Sequence, residues 1–184
     1  MPTPRPCEFP PQIQPRAQKI RLLTLDVDGV LTDGGLYFDA SGSLLKRFHV
    51  HDGLGIKIAM EAGLQLAVIT GLKSPAVQTR IRELGIHHYY EGHHRKTPLV
   101  RRIAAEEGIG LEQVAYLGDD LVDLAPLRVV GLPLAVPNAR PEVLDQACWV
   151  TPHSGGHGAV RDAIEAILRA QGLWEDMCVR WTSE

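Results

Sequence analysis

Short apolar runs and amphipathic stretches alternate along this chain, and they predict strands and helices in turn. Residues 20–25 form an apolar run that ends in acidic residues, which is typical of a buried parallel strand. The last predicted helix covers 159–171, where apolar residues recur at the spacing of one helix face. The other predicted strands are 66–69, 87–90, 113–117 and 132–136, and the other predicted helices are 52–61, 74–84, 97–108, 121–128 and 139–145.

This alternation predicts an α/β fold with a doubly wound parallel sheet. Residues 34–48 differ, because two apolar segments flank Asp39-Ala40-Ser41-Gly42 and indicate an inserted β-hairpin. No stretch between the predicted elements is long enough for a separate cap domain. The predicted parts are a flexible proline-rich tail at 1–18, a single domain at 19–171, and an irregular tail at 172–184 that carries Trp174 and Trp181.

Composition narrows the class of protein. The chain is 45% hydrophobic with a formal net charge of −3, so it has material for a core and no basic field to attract nucleic acid or anionic lipid. No apolar run is long enough to span a bilayer, and the N-terminus lacks the apolar segment of a signal peptide. The three cysteines are widely spaced, which favours reduced thiols in the cytoplasm.

Chemically active side chains follow the predicted strands at their carboxyl ends, where doubly wound sheets bind ligands. Taken singly, each has an ordinary explanation: an acidic turn, a helix cap or a solvated lysine. Together they predict a site for Mg²⁺ and a phosphate group, because Mg²⁺ binds a few carboxylates plus substrate phosphate. The residues of this set are Asp26, Asp28, Thr70, Lys96, Asp119, Asp120 and Asp123.

The order of these residues resembles the haloacid dehalogenase-like phosphatases, whose pattern is DxDx(T/V), then Thr or Ser, then Lys, then an acidic GDDxxD. The corresponding segments here are DVDGV, Thr70, Lys96 and GDDLVD. The resemblance implies that Asp26 is a covalent nucleophile and that Asp28 is the general acid and base. It also implies three supporting roles. Mg²⁺ would be held by the carboxylates of Asp26 and Asp119 and the carbonyl of Asp28. Thr70 would hold phosphate oxygens, and Lys96 would balance the negative charge of the nucleophile and the phosphate. Asp120 and Asp123 would orient the metal waters and Lys96.

A longer stretch, from IRLLTLDVDGVLTDGGLYF to GGHGAVRDAIEAIL, resembles the 3-deoxy-D-manno-octulosonate 8-phosphate phosphatase family. That family is cap-less, Mg²⁺-dependent and tetrameric, and acts in lipopolysaccharide sugar synthesis. The resemblance implies a sugar-acid phosphate substrate and a homotetramer with shared active sites, closed by the hairpin and the C-terminal tail of neighbouring subunits. The substrate-binding residues it implies are Asp28, His49, Val50, His51, Asp52, Gly53, Lys57, Gly71, Leu72, Arg80 and Lys96.

Four positions depart from this family's pattern, which usually has arginine where His51, Lys57, Leu72 and His157 stand. Arginine can grip a carboxylate with two hydrogen bonds, whereas lysine or histidine makes a point contact and leucine makes none. A related substrate, such as the 9-phosphate of a nine-carbon sialic-type acid, therefore stays open as an alternative. Two non-enzyme alternatives are an inactive scaffold and a phosphorelay receiver-like module. A receiver would need an acid at the end of the third strand, where this chain has Tyr89-Tyr90.

Overall fold

The computed structural model describes residues 7–183 and places a parallel sheet at the centre of the molecule. Its six strands are ordered β5-β4-β1-β6-β7-β8, and every neighbouring pair is parallel. The strands are β1 Leu22–Leu25, β4 Gln65–Thr70, β5 His88–Glu91, β6 Val114–Gly118, β7 Leu132–Ala135 and β8 Trp149–Val150. Strands β2 Tyr37–Phe38 and β3 Leu44–Leu45 form a separate antiparallel hairpin, as predicted.

Strand β1 lies between β4 and β6, and all four of its residues are buried. A strand covered by helices on both faces needs apolar side chains in both directions, and Leu22 to Leu25 supply them except at Thr24. The register aligns Leu25 with Val68 of β4 and with Leu117 of β6. The carboxyl ends of these three strands therefore meet at one edge, which is where the predicted site lies.

Helices cover both faces of the sheet, which confirms the doubly wound α/β prediction. Helix α7 buries Val160, Ala163, Ile164, Ile167 and Leu168, the face predicted from the sequence. The helices are α1 Gln14–Ala17, α2 Val50–Glu61, α3 Pro75–Leu84, α4 Thr97–Glu106, α5 Leu124–Leu127, α6 Pro141–Gln146, α7 Ala159–Ala170 and α8 Trp174–Thr182, with 3₁₀ turns at Leu111–Gln113 and Leu121–Asp123. Among residues 7–183, no helix is long and apolar enough to cross a membrane.

The N-terminal segment is packed on the domain where the structure describes it. Phe9 is buried and meets the Trp149 ring edge-on at 4.8 Å, and Ala17 of helix α1 is also buried. Arg16 Nε donates to the Gly131 carbonyl at 2.7 Å. The prediction of a flexible tail is therefore wrong for residues 7–18, because apolar residues between the prolines reach the core. Its first six residues lie outside the described part.

The C-terminal segment is also ordered against the core. It forms helix α8, in which Trp174 and Met177 are buried, whereas Trp181 is partly exposed. The guanidinium groups of Arg161 and Arg169 lie 4.8 Å and 5.5 Å from the centre of the Trp174 ring. The prediction of an irregular tail is wrong for 172–183, since Trp174 anchors the helix through contacts that only the tertiary fold provides.

Candidate active site

Asp26 and Asp28 lie on the loop that directly follows the central strand β1. Asp26 is only 6% exposed, and its Oδ1 accepts a hydrogen bond from Val27 N at 2.7 Å. Asp28 is more accessible, with 30% of its side chain exposed. Gly29 then turns the chain with a φ of +88°, a conformation that glycine adopts without strain. The loop thus presents two carboxylates at the end of the strand while its backbone turns away.

Lys96 is a fully buried cation of the site. Its Nζ lies 2.8 Å from Asp26 Oδ1 and 2.7 Å from Asp123 Oδ1, and its side chain is 0% exposed. Burial disfavours the charged ammonium, but attraction to the two carboxylates outweighs it and raises the pKa of Lys96. Lys96 is the residue directly before helix α4, whose first residue is Thr97, and its side chain is therefore free to reach the two carboxylates rather than cap the helix.

Asp123 holds both Lys96 and the turn after β6. Its Oδ1 accepts from Tyr116 Oη at 2.6 Å as well as from Lys96, and its Oδ2 accepts from the backbone N–H groups of Asp119 at 3.0 Å and Asp120 at 3.3 Å. With both oxygens hydrogen-bonded and the side chain fully buried, Asp123 has little capacity left for a metal ion. Asp123 therefore contacts Lys96 and the turn after β6, and its supporting role stays a prediction.

Asp119 is the carboxylate without a partner. Its Oδ1 is buried and accepts no hydrogen bond within residues 7–183. Burial, followed by repulsion from Asp26 and Asp123, raises the pKa of Asp119 to about 8. Burial and Asp123 also raise the pKa of Asp26, with Lys96 opposing them. A bound cation would give the Asp119 oxygen a partner, and it would favour the ionised form of both acids.

The donor set fits a hard divalent cation. Oxygen atoms of Asp26, Asp119 and Asp123 lie within 4.8 Å of one another. Because Asp123 is already hydrogen-bonded, Asp26 and Asp119 are the carboxylates that could hold the ion. An all-oxygen set with few protein ligands suits Mg²⁺, which retains water and binds substrate phosphate.

A cavity of about 220 Å³ connects this centre with the end of β4. Thr70 is buried there, and its Oγ1 accepts from Leu72 N at 3.3 Å. Asp120 borders the cavity too, with Oδ1 accepting from Leu121 N at 2.7 Å. The lining residues are Asp26, Asp28, Thr70, Gly71, Leu72, His94, Lys96, Asp120 and Val122. A larger hollow of about 500 Å³, between α3 and the edge strand β5, lies away from the carboxylates and includes none of the predicted site residues.

The remaining predicted substrate contacts do not line this cavity. His51 borders a second cavity of about 210 Å³, together with His153 and His157. Asp52 is buried, and its Oδ1 accepts from Arg161 N at 2.8 Å. Burial raises the pKa of Asp52 to about 6 although backbone N–H groups at the start of α7 oppose it. Within one chain, the Asp52 carboxylate therefore acts as a helix cap.

The other members of this group lie along α2 and the neighbouring part of α3. Gly53 contacts Arg80 so closely that a Cβ there would lie 2.1 Å from the guanidinium nitrogen, and Arg80 also pairs with Glu83 at 3.4 Å. His49 caps α2 and accepts from His51 N at 3.3 Å. Val50 and Lys57 are exposed on the same helix. The structure thus divides the predicted site into a group around Asp26 and a separate group on α2.

Besides the apolar Val122, two polar residues of the site were not predicted from the sequence. His94 borders the cavity, and its ring lies so close to Gly71 that a Cβ there would meet Nδ1 at 2.7 Å. Its place in the loop after β5, two residues before Lys96, was an available signal. Lys46 pairs with Asp28 and comes from the hairpin, which nothing in the linear sequence links to the strand ends.

The third predicted strand, 87–90, ends one residue later in the structure. Strand β5 extends to Glu91, so its last residue is an acid rather than Tyr90. Glu91 accepts hydrogen bonds from Tyr89 at 2.7 Å and Gln78 at 2.9 Å, and it borders the larger hollow. The receiver-like alternative gains no support from it, because Glu91 does not line the cavity with Asp26 and Lys96.

Comparisons with known proteins agree with this geometry. Residues 86–164 match the family model of haloacid dehalogenase-like hydrolases. The 3-deoxy-D-manno-octulosonate 8-phosphate phosphatase of Salmonella typhimurium is 43% identical over 166 residues, covering 90% of this chain and 88% of that protein. This chain belongs to the 3-deoxy-D-manno-octulosonate 8-phosphate phosphatase family.

Solved structures of similar proteins extend the comparison. A 3-deoxy-D-manno-octulosonate 8-phosphate phosphatase from Moraxella catarrhalis, in complex with magnesium ion, phosphate ion and KDO, superposes with a TM-score of 0.90 at 37% identity, covering 93% of this chain and 98% of that one. A haloacid dehalogenase superfamily hydrolase from Legionella pneumophila gives a TM-score of 0.90 at 43% identity, covering 94% and 95%. The family's fold therefore extends over nearly the whole chain.

The raised pKa values predict that Mg²⁺ stabilises the protein more at alkaline pH. Without a cation, folded Asp119 keeps its proton to about pH 8, whereas the unfolded chain releases it near 3.8. The folded state binds more protons in this window, so the free energy of unfolding falls as pH rises through it. A bound cation removes that penalty, so the Mg²⁺-induced rise in melting temperature should be larger at pH 8 than at pH 5.5. Asp119→Asn should lose most of this response, and an equal rise at both pH values would contradict the assignment.

Proposed function

We propose that this protein is a Mg²⁺-dependent phosphomonoesterase that hydrolyses 3-deoxy-D-manno-octulosonate 8-phosphate to the free sugar acid and phosphate. Membership of the family supports the substrate. The observation that carries the chemistry is the buried Lys96 bridging Asp26 and Asp123 beside the unpartnered Asp119. Three free thiols and the sugar-phosphate substrate favour a cytoplasmic enzyme.

In the first step, a carboxylate oxygen of Asp26 bonds to phosphorus while the bond from phosphorus to the sugar oxygen breaks. Asp28 donates a proton to that departing oxygen, which leaves as an alcohol. Val27 N and Lys96 Nζ both contact Asp26 Oδ1, and these contacts fix the plane of the attacking carboxylate. Attack by an anion on an anionic phosphate is repulsive, and Lys96 offsets part of that repulsion.

In the second step, water attacks the phosphorus of the aspartyl-phosphate, and the bond from Asp26 to phosphorus breaks. Asp28, now ionised, accepts the proton of the attacking water. Thr70 and the backbone at Gly71 hold phosphate oxygens beside this reaction. Asp26, Asp119 and the Asp28 carbonyl would hold Mg²⁺, which would supply positive charge near the phosphate oxygens. Asp123 keeps Lys96 in place, and Asp120 and Asp123 would orient waters on the ion.

The identity of the sugar in the substrate is a separate part of this proposal. Leu72, which is 46% exposed, borders the cavity at a position that could otherwise carry a carboxylate-binding side chain. A nine-carbon sialic-type acid 9-phosphate offers the same phosphoester and a similar acid group, so it is the second candidate substrate. The proposed sugar contacts on α2 and α3 are His49, Val50, His51, Asp52, Gly53, Lys57 and Arg80.

We further propose that four copies assemble and share active sites. The group on α2 is separated from the Asp26 cavity within one chain, so a neighbouring subunit would supply it to that cavity. Large apolar side chains on the hairpin and α2 are exposed to a degree that favours burial in an interface. These are Leu36 at 62%, Tyr37 at 45%, Phe38 at 65%, Leu45 at 52%, Val50 at 79% and Leu54 at 38%.

Phosphate release from a panel of sugar phosphates tests the proposed activity. The enzyme should prefer the eight-carbon sugar-acid phosphate over hexose phosphates and should require Mg²⁺. Asp26→Asn should lower kcat by roughly 10⁴-fold or more, because it removes the nucleophile, and it should also weaken the Mg²⁺-dependent rise in melting temperature, because it removes one of the two carboxylates that would hold the ion. Equal rates on hexose phosphates would remove the substrate assignment, and full activity of Asp26→Asn would remove the mechanism.

Light scattering tests the assembly. The unsubstituted protein should have the mass of four chains, and Phe38→Asp should dissociate it and lower activity, because a buried charge opposes association. Ala40→Asp adds the same charge to the hairpin without removing a large apolar side chain, so it should disturb the assembly less. A monomer with full activity would contradict the shared site.

A further inference from the structure

The hairpin contributes a lysine to the group around Asp26. Lys46 directly follows β3, and its ammonium donates to Asp28 Oδ1. The Lys46 side chain is only 1% exposed, whereas that of Asp28 is 30% exposed. This ion pair is therefore shielded on the lysine side and open on the carboxylate side.

The base of the hairpin is fastened to the loop that carries Asp28. Thr32 and Phe48 form an antiparallel bridge. Arg47 donates to the Gly156 carbonyl at 3.2 Å and lies 3.6 Å from Asp33 Oδ2. These contacts directly follow Lys46 in the chain, and the β2–β3 pairing directly precedes it, so its ammonium is held in place by the fold before any substrate binds.

Burial of the Lys46 side chain limits which groups it can contact. A side chain that is 1% exposed in this chain has no free path to the phosphate or sugar, and Lys46 does not border the Asp26 cavity. Asp28 does border it. Lys46 therefore acts on the reaction through Asp28, and a buried ammonium needs that carboxylate in turn.

We propose that Lys46 is a positioning residue, which holds Oδ1 of Asp28 so that Oδ2 faces the departing oxygen of the substrate. This inference rests on the proposed function. In the first step the proton passes from Asp28 Oδ2 to the sugar oxygen as its bond to phosphorus breaks. In the second step Asp28 takes a proton from water. Lys46 keeps its own protons throughout and fixes the direction of both transfers.

The proposal makes the effect of Lys46 depend on the leaving group. A sugar alkoxide is strongly basic and needs the proton of Asp28, whereas p-nitrophenolate is weakly basic and leaves without it. Since kcat/KM reports formation of the aspartyl-phosphate, a misplaced acid lowers it for the sugar phosphate and changes it little for p-nitrophenyl phosphate. A general loss of structure would lower both together.

The test compares kcat/KM of Lys46→Met for 3-deoxy-D-manno-octulosonate 8-phosphate and p-nitrophenyl phosphate. We expect a loss of about 10²-fold on the sugar phosphate, the lower end of what general acid catalysis supplies, with little change on p-nitrophenyl phosphate. Lys46→Arg should recover part of the loss. In an Asp28→Asn background, Lys46→Met should not change the ratio of kcat/KM between the two substrates any further, because the carboxyl group that Lys46 orients is already gone.

Lys19→Met is the control, because it makes the same substitution at an exposed lysine before β1, at the end of that strand remote from Asp28. It should leave the ratio of kcat/KM between the two substrates unchanged. If Lys46→Met lowers the melting temperature, Lys46→Gln keeps a donor at that position and should show the same selective loss in weaker form. Equal losses on both substrates would overturn this inference alone. No phosphate release by the unsubstituted protein would overturn the proposed function as well.

Discussion

The site depends on one buried ammonium between two carboxylates. Lys96 lies 2.8 Å from Asp26 and 2.7 Å from Asp123, with no exposed surface of its own. Without it, three acids at the ends of β1 and β6 would face one another in a largely dry environment, where repulsion is costly. Removing one partner of such a buried pair typically costs about 3–5 kcal/mol. The contacts that arrange the proposed catalytic groups are thus also the contacts that stabilise this edge of the sheet.

The fold brings those groups together by strand order. Because β1 lies between β4 and β6, Asp26 stands beside Thr70 on one side and Asp119 on the other. Lys96 enters from the start of α4, and Asp123 locks it from the turn after β6. The hairpin adds Lys46, although it is not part of the parallel sheet. The result is a compact centre for phosphate chemistry, with the proposed sugar contacts on α2 placed apart from it in the single chain.

The sequence was sufficient for the parts of the site that follow from parallel strands. Asp26, Thr70 and Asp119 could be predicted because each follows a recognisable buried strand, and such strands end at one edge. Lys96 was predicted through its place before a Thr-Pro helix start. The pairing of Lys46 with Asp28 could not, because the path of a hairpin over the sheet depends on tertiary contacts such as the Thr32–Phe48 bridge.

The two terminal segments illustrate the same limit. Prolines and mixed polarity favoured tails without structure, yet Phe9 and Trp174 are buried against the domain. Burial of a single aromatic side chain can outweigh weak local preferences, and periodicity over so few residues does not reveal it. The edge strand β5 likewise gained Glu91 because its boundary is set by pairing with β4 rather than by its own composition.

Trapping the covalent intermediate tests directly whether Asp26 takes the phosphoryl group. The enzyme would be mixed with Mg²⁺ and the sugar-acid phosphate, quenched in acid during turnover, and reduced with borohydride, which converts an aspartyl-phosphate to homoserine. Mass spectrometry of the peptide carrying both Asp26 and Asp28 should then find homoserine at position 26 and aspartate at position 28. Intact aspartate at position 26 under conditions of active turnover, or homoserine at any other position, would contradict the account.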